Sequence, residues 1–135
     1  MKTILFVCVE NSNRSQMAEA FAKIHGKGRV EAYSSGSRPS GIINPKAIAA
    51  MKELGYDLTI HQSKSLDEIP KIKYDYAITM GCGDECPFVM AEHRDDWKLD
   101  DPKHLEPTEF NKVRDEIERR VKELIEKINK NRIKK

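Results

Sequence analysis

One cysteine and one arginine near the start of the sequence have the spacing that covalent oxyanion chemistry needs. Cys8 lies near the end of an apolar run that predicts a buried strand over residues 3–9, and Arg14 follows where a helix should begin, about Asn13. A thiol there faces the positive end of a helix dipole and a guanidinium, so it should ionise readily. We therefore predict that Cys8 is a nucleophile for phosphate-like substrates.

The loop between Cys8 and this helix is predicted to hold the substrate. Its backbone must curl, so that successive N–H groups point inward at a tetrahedral anion, and Arg14 adds a two-pronged contact. Ser15 should lie near enough to donate to the thiolate. The predicted substrate-binding residues are Glu10, Asn11, Ser12, Asn13 and Arg14, with the Asn11 amide holding the curvature of the loop. The alternative, an inert buried thiol, is common for cysteine but is disfavoured by this spacing at the end of a first strand.

Two further thiols, Cys82 and Cys86, follow another apolar run over residues 74–80. They lie among glycines and a proline, where an irregular or helical backbone would let them approach each other. Thiol–disulfide exchange is the favoured interpretation. Structural zinc is an alternative, but His93 and His104 do not stand at the usual ligand spacing; two unrelated buried cysteines are another. We predict no metal site.

An acidic residue before a proline, Asp101, is the candidate general acid. A carboxylic acid above an oxyanion pocket can protonate the leaving oxygen as its bond breaks. An Asp-Pro pair is also a common way to start a turn, so this assignment depends on the motif around Cys8.

Alternating strand and helix patterns must position these groups. The first helix should run to Gly26, with Asn13 and Gln16 as a capping pair and an inner face of Met17, Phe21 and Ile24. A strand is predicted over residues 29–34. A second helix should start at Asn44-Pro45 and end at Gly55, with an inner face formed by Ala47, Ile48, Met51 and Leu54.

The second half of the chain continues this alternation. It predicts a helical turn around residues 66–69, a strand over residues 74–80, and a short fourth strand over residues 96–99. A helical stripe in a charged background then predicts a long last helix, with Phe110, Val113, Ile117, Val121, Leu124 and Ile128 facing the core. This order predicts one α/β domain over residues 1–135, with a four-stranded parallel sheet and helices on both faces.

Composition excludes several classes of protein. Lys and Arg number 24 and Asp and Glu 22, and an excess of +2 implies neither a nucleic-acid nor a membrane partner. The first apolar run is too short to span a membrane and has no cleavage site of small residues. Three cysteines, an odd number, fit reactive thiols in a reducing compartment. We expect a cytoplasmic monomer.

These motifs together resemble the thioredoxin-coupled arsenate reductases, which share the fold of the low-molecular-weight protein tyrosine phosphatases. The resemblance rests on four segments in colinear order, which are residues 8–20, Asn44-Pro45, residues 82–87 and residues 97–102. The first segment is typical of the whole superfamily, whereas the later cysteine pair is typical of the reductases. The resemblance therefore implies a low-molecular-weight phosphatase-like fold and a reductase activity.

The resemblance also implies a relay of three thiols. Cys8 would attack arsenate, and Asp101 would protonate the departing oxygen. Cys82 would then attack Cys8 and release arsenite, and Cys86 would attack Cys82, leaving a Cys82–Cys86 disulfide for thioredoxin to reduce. No cofactor is expected, because the thiols supply both electrons and no dinucleotide-binding fingerprint is present.

Two other functions stay open at this stage. Cys8, Arg14 and Asp101 would suffice for a phosphomonoester or tyrosine phosphatase, although the tyrosines that typically follow the Asp-Pro pair in phosphatases are absent. A sensor of oxyanions or oxidants is the third interpretation, supported only by a basic tail.

Glu10 departs from the superfamily pattern, since many members carry glycine there. A carboxylate so close to an oxyanion pocket would repel the substrate unless it were paired or turned away. Lys64 and Arg38 are the candidate partners.

Overall fold

The computed structural model describes residues 1–81 and 89–133, with side chains up to residue 130. Within these ranges the strands are β1 (Lys2–Cys8), β2 (Val30–Gly36), β3 (Tyr74–Thr79) and β4 (Ala91–Asp96). The α-helices are α1 (Arg14–His25), α2 (Pro45–Lys52) and α3 (Pro107–Ile133), and Leu58–Ile60 and Leu66–Glu68 form 3₁₀ turns. The predicted alternation is therefore present.

All four of these strands run parallel, in the order β2-β1-β3-β4. Cys8 is level with Gly36 on one side, and Val7 is level with Thr79 on the other. The carboxyl ends of the strands therefore meet at one edge of the sheet, where open α/β sheets bind their ligands. The predicted parallel sheet is confirmed.

Strand β1 is buried on both faces. Ile4 and Phe6 belong to a large cluster that contains residues of α1, α2 and α3, whereas Leu5 and Val7 pack in a second cluster with Ile69. Successive side chains of a strand point to opposite faces, so these clusters cover the two sides of the sheet. All three α-helices contribute residues to the first cluster, and Leu66 of the Leu66–Glu68 turn packs, partly buried, against the second.

The prediction for the fourth strand was wrong, because β4 ends at Asp96, where the prediction placed its beginning. Apart from Ala91, every residue of β4 is charged or histidine, and most of the strand is exposed. An edge strand of this kind has no apolar face from which to recognise it, and its charges discourage pairing with other chains. Trp97 follows the strand and packs against Phe6, with ring centroids 5.9 Å apart.

The helix boundaries were predicted more accurately than the helix faces. Asn44 caps α2 by accepting from Lys46 N at 2.9 Å, and Gly55 adopts a left-handed φ of 81° after the helix. The two outermost predicted core residues, Ile24 and Leu54, are instead 41% and 44% exposed.

The last helix is confirmed, and its stripe packs on the sheet and on α1. The stripe residues buried in the large core cluster are Phe110, Ile117, Val121 and Ile128, with Val113 and Leu124 partly buried beside them. No helix within the described ranges combines the length and apolar character that crossing a membrane requires.

Candidate active site

Cys8 is the last residue of β1, and its thiol lies at the base of a narrow pocket. Its side chain is buried, and its Sγ lies 2.9 Å from the hydroxyl of Ser15 in the first turn of α1. The residues around the pocket are Cys8, Val9, Glu10, Ser12, Asn13, Arg14 and Asp101. The strand end, the loop and the helix start thus place the predicted nucleophile where the sequence indicated.

Asn11 holds the shape of the loop, as predicted. It is fully buried with a φ of 51°, a conformation that asparagine tolerates better than most residues. Its Nδ2 donates to Ser15 Oγ at 2.8 Å, and its Oδ1 accepts at 2.8 Å from Gln16 Nε2 and from Lys64 N. Both ends of the amide are therefore used to keep the loop curled.

The carbonyl groups of the loop are turned toward neighbouring segments. Val9 O accepts from Arg38 N, Glu10 O from Ser40 N, and Ser12 O from Asn44 N, at distances of 2.8 to 3.1 Å. In a planar trans peptide the following N–H points the opposite way, so these amide donors face the inside of the curl. The arrangement can bind an oxyanion through several N–H groups at once.

Glycine is required at residue 36, where β2 runs beside the loop. A Cβ there would lie 2.5 Å from Val9 O and 2.9 Å from Asn11 N. The close approach of the two backbones therefore depends on the missing side chain.

Arg14 is buried, and one side of its guanidinium is fixed by backbone carbonyls. Nη1 donates to Met80 O at 2.6 Å and to Leu99 O at 2.8 Å. Nη2 lies 4.0 Å from Asp101 Oδ2, and Nε is buried with no hydrogen-bond partner among the described residues. Buried donors are normally paired, so the open Nε edge is suited to an anion bound above Cys8.

Asp101 reaches the pocket from the segment between β4 and α3. Its side chain is 46% exposed, with Oδ1 accepting from Lys103 N at 3.0 Å and Oδ2 facing Arg14. A partly exposed carboxyl beside the pocket can exchange protons with water and with a bound anion. The structure thus brings Asp101 together with Cys8 and Arg14.

Glu10 forms an ion pair with a residue that the sequence did not suggest. Its Oε2 lies 2.9 Å from Lys103 Nζ, and the hydrogen bond from Lys103 raises the pKa of that ammonium. Lys64, one of the two expected partners, instead lies 3.8 Å from the carboxylate of Glu19. The charge of Glu10 at the rim is therefore balanced by Lys103.

Sequence reasoning missed the role of Gln16. Its Nε2 donates to Asn11 and to the carbonyl of Gln62, so the predicted capping pair with Asn13 does not form. The three-residue spacing of Asn13 and Gln16 is typical of a helix cap, and no local pattern shows that the Gln16 side chain turns back to the loop. The Asn13 side-chain oxygen has no hydrogen-bond partner among the described residues.

A buried charge cluster lies behind the loop, around Glu19. Burial raises the pKa of Glu19, but nearby His61, Lys23 and Lys64 and a hydrogen bond from Ser34 outweigh it and leave the pKa below its ordinary value. Lys23 Nζ lies 2.7 Å and His61 Nδ1 3.6 Å from Glu19 Oε2. The helix that begins at the pocket is thus anchored by an ionised carboxylate.

Cys82 and Cys86 lie outside the described residues. The chain before them is described, and Met80 N donates to Val7 O at 2.9 Å beside the end of β1. Within residues 1–81 and 89–133, no three His, Cys, Asp or Glu side chains are grouped so that they could hold a metal ion.

Comparison with known proteins finds one family model along nearly the whole chain. The model, described as low molecular weight phosphotyrosine protein phosphatase, matches residues 3–134. A glutaredoxin arsenate reductase from Synechocystis is 40% identical over 132 residues, which covers 96% of this chain and 100% of that protein.

Two solved structures extend the comparison. An arsenate reductase in its phosphate-binding state superposes with a TM-score of 0.86 at 40% identity, covering 95% of this chain and 99% of the other. The thioredoxin-dependent arsenate reductase of Corynebacterium glutamicum has a TM-score of 0.79 at 32% identity, covering 97% of this chain and 63% of its own. The fold of this chain therefore occurs in solved structures of arsenate reductases.

Proposed function

The chain belongs to the low molecular weight phosphotyrosine protein phosphatase family, and we propose that it is an arsenate reductase with Cys8 as its nucleophile. The observation that carries the proposal is the buried Cys8 thiol, 2.9 Å from Ser15 Oγ, in one pocket with the open Nε edge of Arg14. The choice of reductase over phosphatase is supported by the similar arsenate reductases and by the cysteines at residues 82 and 86.

In the first step the Cys8 thiolate attacks arsenic in arsenate. A sulfur–arsenic bond forms, an arsenic–oxygen bond breaks, and Asp101 gives the departing oxygen a proton so that it leaves as water. The loop N–H groups and Arg14 bind the remaining oxygens and stabilise the charge that builds up on them. Arsenic is still pentavalent in this adduct.

Electrons move in the second step, when the thiolate of Cys82 attacks the sulfur of Cys8. The Cys8–Cys82 disulfide forms, and the electron pair of the sulfur–arsenic bond stays on arsenic, which leaves as arsenite. Cys86 next attacks the sulfur of Cys82, so that Cys8 returns as a thiolate and the disulfide becomes Cys82–Cys86. The two electrons thus come from the thiols of the chain.

A reduced dithiol protein must then restore Cys82 and Cys86, and we propose thioredoxin. The thioredoxin-dependent relative supports this choice, whereas the Synechocystis relative makes glutaredoxin with glutathione the competing reductant. We further propose that residues 1–135 act as one domain, as a monomer and without a cofactor. A reducing compartment such as the cytoplasm would keep the three thiols ready for this relay.

Arsenate-dependent NADPH oxidation tests the proposal, measured once with thioredoxin and its reductase and once with glutaredoxin, glutathione and glutathione reductase. We expect turnover with thioredoxin, loss of turnover in Cys8→Ser, Cys82→Ser and Cys86→Ser, and arsenite as the product. Full turnover in Cys82→Ser would contradict the relay. Turnover only with glutaredoxin would support the proposed reductase activity and contradict thioredoxin as the reductant.

Phosphatase activity is the second candidate, because Cys8, Arg14 and Asp101 are also the groups that a thiophosphate intermediate requires. Aryl phosphate hydrolysis in wild type and in the Cys82→Ser/Cys86→Ser double variant separates the two functions. Hydrolysis that does not depend on Cys82 and Cys86, without any arsenate turnover, would identify a phosphatase.

A further inference from the structure

The first turn of α2 is bonded to both segments that meet above Cys8, and we propose that Lys46 in this turn is a positioning residue for Asp101. Lys46 Nζ donates to Lys103 O at 3.2 Å and to Leu105 O at 2.9 Å, in the segment between β4 and α3 that carries Asp101. This role rests on the general-acid function proposed above for Asp101. Lys46 acts through the backbone of that segment.

The base of the Lys46 side chain is fixed relative to the loop from β1 to α1. Asn44 N donates to Ser12 O at 3.1 Å, and Asn44 Oδ1 accepts from Lys46 N at 2.9 Å. Pro45, at the first position of α2, has a restricted φ that suits the start of a helix. The ammonium of Lys46 is therefore presented to the Asp101 segment from a support that is tied to the loop.

The two carbonyls that Lys46 binds belong to the residues that close the turns after Asp101. Lys103 N donates to Asp101 Oδ1 at 3.0 Å, and Leu105 N donates to Pro102 O at 3.0 Å. The carbonyl and the N–H of one residue share a Cα atom, so a shift of either carbonyl away from Lys46 also moves the N–H group that holds its turn closed. The hydrogen bond that orients the Asp101 carboxyl therefore depends on Lys46.

Asp101 is held from both sides along the chain. Arg14 Nη1 donates to Leu99 O at 2.8 Å, two residues before Asp101, and Lys46 binds carbonyls two and four residues after it. Hydrogen bonds from a charged donor are stronger than those between neutral groups. With both sides held, the backbone around Asp101 loses conformational freedom before the substrate binds, and its carboxyl stays close to Arg14 and the pocket.

Two other roles of Lys46 make different predictions. If the ammonium only stabilised the fold, its loss would lower activity equally with and without the Asp101 carboxyl. If it attracted the anion by its charge, its loss would raise the arsenate concentration needed for the half-maximal rate, and less so at high salt. A positioning residue instead affects the rate at saturating arsenate, and only while the Asp101 carboxyl is present.

Exchange of backbone amide hydrogens with water, followed by NMR, tests the contact independently of activity. Lys46→Met removes the ammonium but leaves the backbone N–H that Asn44 caps. We expect the Lys103 and Leu105 amides to exchange about fivefold faster in this variant, because their turns open more often. The Asn44 amide, which is bound to Ser12 O, should exchange as in wild type. Unchanged exchange at both Lys103 and Leu105 would overturn the inference.

Arsenite release in a single turnover tests the consequence, since the three thiols of the reduced chain supply both electrons. At saturating arsenate we expect Lys46→Met to slow release about tenfold, with little change in the half-saturating arsenate concentration. Lys46→Arg, which keeps the charge and several N–H donors, should recover most of the rate. In an Asp101→Asn background, Lys46→Met should have no further effect. An equal loss in both backgrounds would overturn the inference, as would a raised half-saturating concentration with an unchanged maximal rate.

Lys52→Met is the matched control, because Lys52 is an exposed lysine in the last turn of the same helix. Its exchange and release rates should equal those of wild type. Circular dichroism and thermal melting show whether each variant is folded. A wild-type chain that releases no arsenite would contradict the proposed function, whereas the exchange rates at Lys103 and Leu105 would still confirm or overturn the hold of Lys46 on the segment.

Discussion

The two segments that meet above Cys8 are held in very different ways. In the loop from β1 to α1, residues 11–15 are all buried, and hydrogen bonds from neighbouring segments fix both its side chains and its carbonyls. In the segment from β4 to α3, Asp101 and Lys103 are 46% and 43% exposed. Asp101 is held there by a local turn and by a 4.0 Å approach to Arg14.

This difference suggests a division of labour between the two segments. A preorganised loop stabilises charge on a bound oxyanion without reorganisation during the reaction. A general acid, in contrast, must gain and lose a proton in each cycle, and partial exposure gives it access to water. Arg14 connects the two segments, because it ends the buried loop while its Nη1 donates to Leu99 O and its Nη2 faces Asp101 in the exposed segment.

The largest expected effect comes from substituting Arg14, in the buried loop. We expect Arg14→Lys to lower kcat/KM for arsenate about 10³-fold, because an ammonium cannot keep both carbonyl contacts and also present a planar edge to the anion. Steady-state NADPH oxidation measures this. Arg119→Lys, on the exposed face of α3, is the control and should be unchanged. A decrease of less than tenfold would show that the loop amides bind the anion without Arg14.

A smaller effect is expected on the exposed side, from Asp101→Asn. This change keeps the shape of the side chain and removes the proton donor, so kcat should fall about 10²-fold with little change in KM. Asp100→Asn is the matched control one residue away. If Asp101→Asn and Asp100→Asn lowered kcat equally, the segment would supply only negative charge, and Asp101 would not be the general acid.

The nucleophile loop was predictable because its information is local. The apolar run over residues 3–9 carries Cys8 near its end, an arginine stands at the start of a helix, and Gly26 ends that helix. Short-range patterns of this kind survive in a single sequence. Asp101 was assigned as the general acid only because the motif around Cys8 calls for one, since 87 residues separate it from Arg14 in the chain and no local pattern connects the two.

The features that escaped prediction depend on long-range contacts. Glu10 and Lys103 are 93 residues apart in sequence, and either could have paired with another charge. Gln16 fits a capping pattern, yet tertiary contacts with Asn11 and residue 62 direct its side chain elsewhere. Strand β4 is defined by pairing with β3 alone, because its own residues have no apolar face.

The buried charge cluster behind the loop, around Glu19 and His61, should also make the fold sensitive to acid. Burial lowers the pKa of His61 from 6.5, so below that pH the unfolded chain takes up its proton first and stability falls. The Glu19 carboxylate, whose pKa is below 4.5, contributes stability that is complete above pH 4.5 and is lost as the pH falls through the lower value. Urea unfolding of wild type should therefore show decreasing stability from about pH 6.5 downward.

Glu19→Gln is the variant that isolates this support. It should cost about 2 kcal/mol at pH 7, because Lys23 and Lys64 lose their buried partner, and the difference from wild type should shrink in acid. Glu118→Gln, at a pair with His25 whose side chains are 27% and 26% exposed, is the control and should cost less. A Glu19→Gln penalty that does not vary between pH 7 and pH 3 would show that packing, and not the carboxylate charge, anchors α1.

The smallest effect is expected where the two segments touch, at the ion pair of Glu10 and Lys103. Both side chains are more than a third exposed, so water and salt screen their attraction. Lys103→Met should therefore change kcat/KM no more than about threefold at low salt.

The direction should be downward, because the unpaired Glu10 carboxylate then repels the anionic substrate at the rim of the pocket. Adding Glu10→Gln to Lys103→Met should restore the wild-type value. The loss in Lys103→Met should also vanish in 0.5 M NaCl, because a Debye length of about 4 Å screens the exposed charges. A loss in Lys103→Met that persists in high salt and in the double variant would instead mean that Lys103 positions Asp101, and that the exposed segment is held more firmly than its few contacts indicate.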